Sequence, residues 1–267
     1  MSIANATPTS GTGTGPLADR NSLLLSAILL VSSFIVGEVA GLFHAGGITD
    51  PNNHPAVFVQ YAQSAPWTTV HLVQFIATAA TIVGLLVLFY ALNLPDGMPR
   101  LVARMGIVSA GAAIALTAML YAVDGVVLKR AVDAWVSASN AEKPMRFASA
   151  ETVRWLEEAT GSYEYFLIGL TLILLAALII WTARVPRPIG YLLGLTGVTY
   201  FVAGWIHSVA GFVPQAAIPF LLGVVSLLIS SIWLLIAAWR MKESAEIAPG
   251  SGSPARRNGA GAAATSR

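Results

Sequence analysis

Six apolar stretches, each long enough to cross a bilayer, dominate this 267-residue chain and leave it few other ways to fold. They run over residues 22–43, 68–92, 101–124, 163–183, 189–213 and 218–240. A bilayer core about 30 Å thick is crossed by roughly 20 helical residues, and within it every backbone N–H and C=O needs a partner inside the chain. Helices meet that demand locally. Transmembrane strands would show as short alternating segments, whereas these runs are long and continuous. Composition agrees: the chain is 56% hydrophobic and only 10% charged, where soluble domains carry about a quarter. The expected fold class is all-α integral membrane, with six transmembrane helices.

Absences narrow the chemistry. The chain has no cysteine, which excludes disulfides, iron–sulfur clusters, thiolate zinc sites and c-type haem attachment. The net charge of +2 comes from basic residues scattered at span ends, so it does not point to nucleic-acid binding, and no nucleic-acid partner is expected. Those residues are topology signals. Arg20, Arg100, Arg104, Arg184, Arg187, Arg240 and Lys242 collect on one side of the spans, with Arg256, Arg257 and Arg267 in the tail. Lys129, Arg130, Lys143, Arg146 and Arg154 lie in a single loop on the other. The positive-inside bias then puts both termini in the cytoplasm, as an even span count requires. The first apolar run has no small-x-small cleavage site after it and reads as a retained span.

Between and beyond the spans, the pattern predicts a partly helical extracytoplasmic cap. Residues 1–21 and 244–267 are Ser-, Gly- and Ala-rich and read as disordered cytoplasmic tails around a transmembrane domain over 22–243. Gly11, Gly13 and Gly15 have no preceding strand and so make no nucleotide loop. In the first outer loop, 44–67, a cluster of turn formers precedes Ala56-Val57-Phe58-Val59-Gln60-Tyr61, too short to span and expected as an interfacial helix. In the second, 125–162, Leu128, Val132, Trp135 and Val136 follow helical spacing. A further short helix is expected over 150–159, ended by Gly161. Gly37/Gly41, Gly190/Gly194 and Gly106/Ala110 have the spacing of close helix–helix contacts.

Ionisable residues in lipid are costly and mark functional sites by default. Glu38, His71, Asp124 and His207 come from four different spans, all in the outer third. Polar stripes accompany them: His71, Gln74 and Thr78; Thr117, Tyr121 and Asp124; Thr196, Tyr200 and His207. The candidate ligand-binding set is therefore Glu38, His71, Gln74, Asp124, Tyr200 and His207. A pocket there would bind a small hydrophobic or ionic ligand, lipid or metal, with a proton relay or transport role one outcome. Two imidazoles and two carboxylates also suit zinc with an open position for activated water, hence a metal-dependent membrane hydrolase. A third reading makes His71 and His207 the axial ligands of haem b. The competing structural reading leaves each group hydrated near a helix end or joining helices by hydrogen bonds. Ser208 beside His207 lacks any G-x-S-x-G element, so a serine hydrolase is disfavoured. His44 and His54 are expected to be solvated in the first loop, and Lys129 to pair with Glu164.

The run Arg187-Pro188-Ile189-Gly190-Tyr191-Leu192-Leu193-Gly194, with Tyr200 beyond it, resembles a bacterial family of six-span membrane proteins designated a domain of unknown function. The likeness covers residues 163–240; the first half matches in helix number and length. It implies six spans and a bacterial cytoplasmic membrane, and supplies no activity or ligand.

Overall fold

The computed structural model describes residues 18–46 and 49–241; the tails expected at 1–21 and 244–267 fall almost wholly outside them. Among the described residues there is no strand. In chain order the helices are α1 Arg20–Gly41, α2 His54–Gln63, α3 Trp67–Ala91, α4 Met98–Ala122, a π-helical segment Val123–Leu128, α5 Lys129–Val136, α6 Lys143–Thr182, α7 Arg187–Ala210, a 3₁₀ turn Pro214–Ala216 and α8 Ala217–Arg240. Six of these stretches are long and apolar enough to cross a membrane, as the sequence requires.

Local chemistry sets the helix ends. Asp19 caps α1, its carboxylate accepting from the Ser22 N–H at 2.8 Å. Proline stands in the first turn of α2, α4, α6 and α7, where its missing N–H costs nothing. At the far end of α6, Ala183 turns left-handed with φ 51° and its N–H returns to Ile179.

The six long helices close into a ring in chain order. α1 packs on α3, α3 on α4, α4 on α6, α6 on α7, α7 on α8, and α8 returns to α1. Their shared core contains Leu23, Leu85, Leu88, Leu172, Leu175 and Ile189. Close approach depends on small residues: a Cβ on Gly190 would lie 2.9 Å from Ile180, and one on Gly106 would overlap the Phe89 ring. Gly41 is different; nothing stands within 4 Å of a Cβ there, so its half of the expected Gly37/Gly41 contact does not form.

A second apolar cluster joins α2, α5 and the head of α6, through Val57, Phe58, Tyr61, Trp67, Leu128, Val132 and Ala150. Of the apolar stripe expected after Asp124, Leu128 and Val132 are buried and Trp135 packs against this cluster, while Val136 is exposed. The short helix expected over 150–159 is instead an interior piece of α6, which runs unbroken for 40 residues through Gly161. Glycine inside a helix costs about 1 kcal/mol relative to alanine, too little to break one packed along its length. Gly161 is buried against Leu120 of α4. The expected Lys129–Glu164 pair is also absent. Lys129 bonds Asp133, one helical turn on, at 2.6 Å, and the Ala62 carbonyl at 2.9 Å. Glu164 lies buried in the bundle and accepts from Thr117.

Candidate metal centre

Three side chains from three separate segments meet at one end of the bundle. His71 stands one turn into α3 and is buried; Asp124 projects half-buried from the π segment; His44 comes from the loop after α1. One ligand atom from each lies within 4.8 Å of the other two.

The π segment makes this meeting close. Two of its carbonyls bond α3 side chains: Asp124 O accepts from Trp67 Nε1 at 3.0 Å, and Gly125 O from Thr68 Oγ1 at 2.8 Å. Such segments widen a helix locally and recur at functional sites. Gly125 has no substitute here, because a Cβ would stand 2.6 Å from the Cβ of His71.

The histidine proton can be placed. His71 Nδ1 lies 2.7 Å from the Trp67 carbonyl, which can only accept, so Nδ1 carries the hydrogen and donates it. In the neutral ring Nε2 then holds a lone pair. It lies 2.9 Å from Asp124 Oδ2, an ion pair when the ring is doubly protonated; in the neutral ring it makes no hydrogen bond there and its lone pair is open to a metal. Asp124 Oδ1 is likewise buried without a hydrogen bond. A buried polar atom left unpaired costs about 1–3 kcal/mol. An imidazole whose other nitrogen is anchored on a backbone carbonyl is the arrangement metal-binding histidines adopt.

His44 completes the set. Its ring centroid is 5.0 Å from that of His71 and 5.1 Å from that of Trp67. The residue is exposed, and it lines a cavity of about 280 Å³ that Asp124 also lines. Although the residue is exposed overall, the packing of its ring on these neighbours takes it partly out of water, and this, followed by the adjacent His71, lowers its pKa from the ordinary histidine value. It is therefore neutral at pH 7 and in the form that binds metals. Tyr61, on the same cavity, is pushed up to about 12 chiefly by burial and stays a neutral phenol.

The other candidates lie elsewhere. Glu38 is exposed on α1, and Gln74 is half-buried three residues beyond His71; neither belongs to the three-residue cluster. Tyr200 packs on Tyr165 and Phe220, while His207 stacks on Tyr165 at 5.4 Å and meets Phe212 at 4.9 Å. His207 lines a separate cavity of about 720 Å³. His71 clusters with His44 and Asp124 while His207 lines this other cavity, so the two are not brought together as a haem pair. Of the two loop histidines expected in solvent, His44 is exposed but packs one face of its ring on Trp67 and His71, and His54 is half-buried, its Nδ1 3.0 Å from Glu151 and its ring stacked on Phe58. Apart from its proximity to a retained span, nothing in the sequence marked His44.

Six membrane-crossing helices with a His/His/Asp cluster at one end of the bundle, its His71 buried, define a multi-pass membrane protein with a site able to hold a metal ion such as zinc. The family model described as Domain of unknown function (DUF4386) matches residues 25–238, and the chain belongs to that family. The match takes in the first half as well as the second. No curated protein and no solved structure matches the chain significantly.

Proposed function

We propose that this chain is a membrane-embedded metalloprotein of the hydrolase class, with His44, His71 and Asp124 as its metal ligands. The observation that carries this is the convergence of His71, Asp124 and His44 ligand atoms within 4.8 Å of one another, with Asp124 Oδ1 buried and without a hydrogen bond. A divalent cation satisfies these atoms at once. Two imidazoles and one carboxylate suit zinc, and three protein ligands are the number catalytic zinc sites use, leaving a fourth position for water. The cavity beside the cluster gives that water room, and a bound metal lowers its pKa towards neutrality. The expected result is hydrolysis of p-nitrophenyl acetate by zinc-loaded protein in detergent, lost on chelation and regained with zinc. Asp124→Asn should be inactive throughout. Activity that survives both chelation and this substitution contradicts the proposal.

We also infer that both termini face the cytoplasm, flanking a transmembrane domain over 22–243. The one-sided Arg and Lys distribution supports this. On that reading α2, α5 and the head of α6 form an extracytoplasmic cap over the metal centre, and the membrane is the bacterial cytoplasmic one. Reporters fused after Arg100 and Arg187 should read cytoplasmic, and one near Asn140 should read outside. An outside signal after Arg187 reverses the orientation.

A further inference from the structure

The cavity beside the metal ligands has a charged wall that metal binding alone leaves unused. Arg154 and Glu157 of α6 line it, and both are buried to about 4% exposure. The guanidinium is held in place. Its Nη1 donates to both Glu157 oxygens at 2.7 and 2.8 Å, and its Cζ lies 4.3 Å from the Phe212 ring centroid and 5.9 Å from that of Tyr61. Phe212 and Tyr61 line the same cavity. The Arg154 Nε–H has no hydrogen-bond partner; it forms an ion pair with Glu158 Oε1 at 3.8 Å, beyond hydrogen-bond reach.

An arginine has donors only, so whatever satisfies Nε must bring an acceptor. The open metal position also takes an oxygen lone pair. One small group with several acceptor oxygens and a negative charge meets both needs. With a divalent metal in place, Asp124 offsets one of its charges and Glu157 offsets Arg154, so the groups on the cavity wall sum to about +1. Glu158, outside the wall, brings the wider neighbourhood to neutrality, so the pull on an anion comes from direct contacts. At about 30 Å³ per water, 280 Å³ is room for roughly nine waters, enough for a phosphate group but not for a large organic body. That body has space next door. The 720 Å³ cavity shares Thr49, Pro51 and Phe212 with this one, and Tyr165 and Phe220 give it an aromatic wall.

We propose that the cavity binds a phosphate-type oxyanion, with one oxygen on the metal and another accepting from Arg154 Nε–H. This rests on the metal centre proposed above, and it names the substrate class as a phosphate ester whose organic part lies in the adjoining cavity. The test is calorimetric titration of the full chain in detergent with inorganic phosphate, with and without zinc. Zinc-loaded protein should bind one phosphate, at least about tenfold more tightly than metal-free protein. Arg154→Lys, which keeps the charge but removes the Nε–H, should weaken phosphate at least about tenfold while leaving zinc affinity unchanged. The paired variant Arg154→Gln/Glu157→Gln removes the same donor together with its hydrogen-bonded carboxylate, and should do likewise. Phosphate binding equal in wild type and both variants, or absent from zinc-loaded protein, overturns the oxyanion site while the metal centre stands. If no zinc binds, the metal reading fails separately. Arg154-dependent phosphate binding to the metal-free chain then supports the anion site, and its absence overturns it. Competition by phosphatidic acid micelles, but not phosphatidylcholine micelles, would identify a lipid headgroup as the source. Failure of both to compete would argue against a lipid headgroup and leave a soluble phosphate ester as the source.

Discussion

His71→Ala should lose zinc affinity by more than about 100-fold, because it removes the most buried and best-oriented of the three ligands. Loss of an outer-shell partner alone typically costs 10–100-fold, and a direct ligand costs more. The substitution leaves a second mark on the metal-free protein. With the imidazole gone, the Asp124 carboxylate keeps an unpartnered oxygen and loses the group 2.9 Å from the other. The single variant should be destabilised by about 1–3 kcal/mol, the range for stranding a buried polar group. Adding Asp124→Ala should recover part of that loss, since neither partner then remains unpaired. Thermal unfolding of the wild type, both single variants and the double variant, all in chelator, reads this coupling directly. Strictly additive losses would show that His71 and Asp124 do not act as a pair.

Gly125→Ala should damage the site without touching a ligand. The new methyl would lie 2.6 Å from His71 Cβ, closer than real Cβ contacts allow, and both atoms are fixed to helix backbones. Either α3 or the π segment must move. Overpacking of this kind costs about 1–3 kcal/mol. Because the metal needs its ligand atoms together, a shift of a few tenths of an ångström separates His71 from Asp124 and loosens the Trp67–Asp124 and Thr68–Gly125 bonds. Zinc affinity should fall by at least about tenfold. Gly161→Ala provides a contrast. Its Cβ would sit at an ordinary 3.7 Å from Leu120, and helix propensity favours alanine, so stability and zinc binding should be kept. Equal zinc affinity in Gly125→Ala and wild type would mean that the close approach at Gly125 does not position the ligands.

Two of the three ligands of this centre could be read from the sequence. The bilayer gives any charged or imidazole group in a span a reason to be there, and that reasoning found His71 and Asp124 in different helices. It also found six spans, since lipid leaves little alternative to helices. It passed over His44, because a histidine in a loop has water as its default partner. What brings His44 into the cluster is how the loop after α1 folds back towards α3, and nothing local records that. The π segment was invisible for a related reason. Val123–Leu128 has an ordinary apolar pattern, and the widened turn depends on Trp67 and Thr68, 57 residues earlier, bonding its carbonyls. Depth alone grouped His207 with His71, yet His207 turns towards Tyr165 and Phe212. Depth in the membrane does not specify direction around a helix.

Metal content with X-ray absorption on the detergent-purified chain tests the metal centre most directly. The account predicts one zinc per chain, bound only by nitrogen and oxygen in a shell containing two imidazoles, in keeping with a sequence that has no cysteine. Zinc–nitrogen distances should be about 2.0–2.1 Å. His44→Ala should remove one imidazole from that shell, while His207→Ala should leave it unchanged. No zinc uptake by the wild type, or a shell that loses an imidazole in His207→Ala but not in His44→Ala, would contradict it.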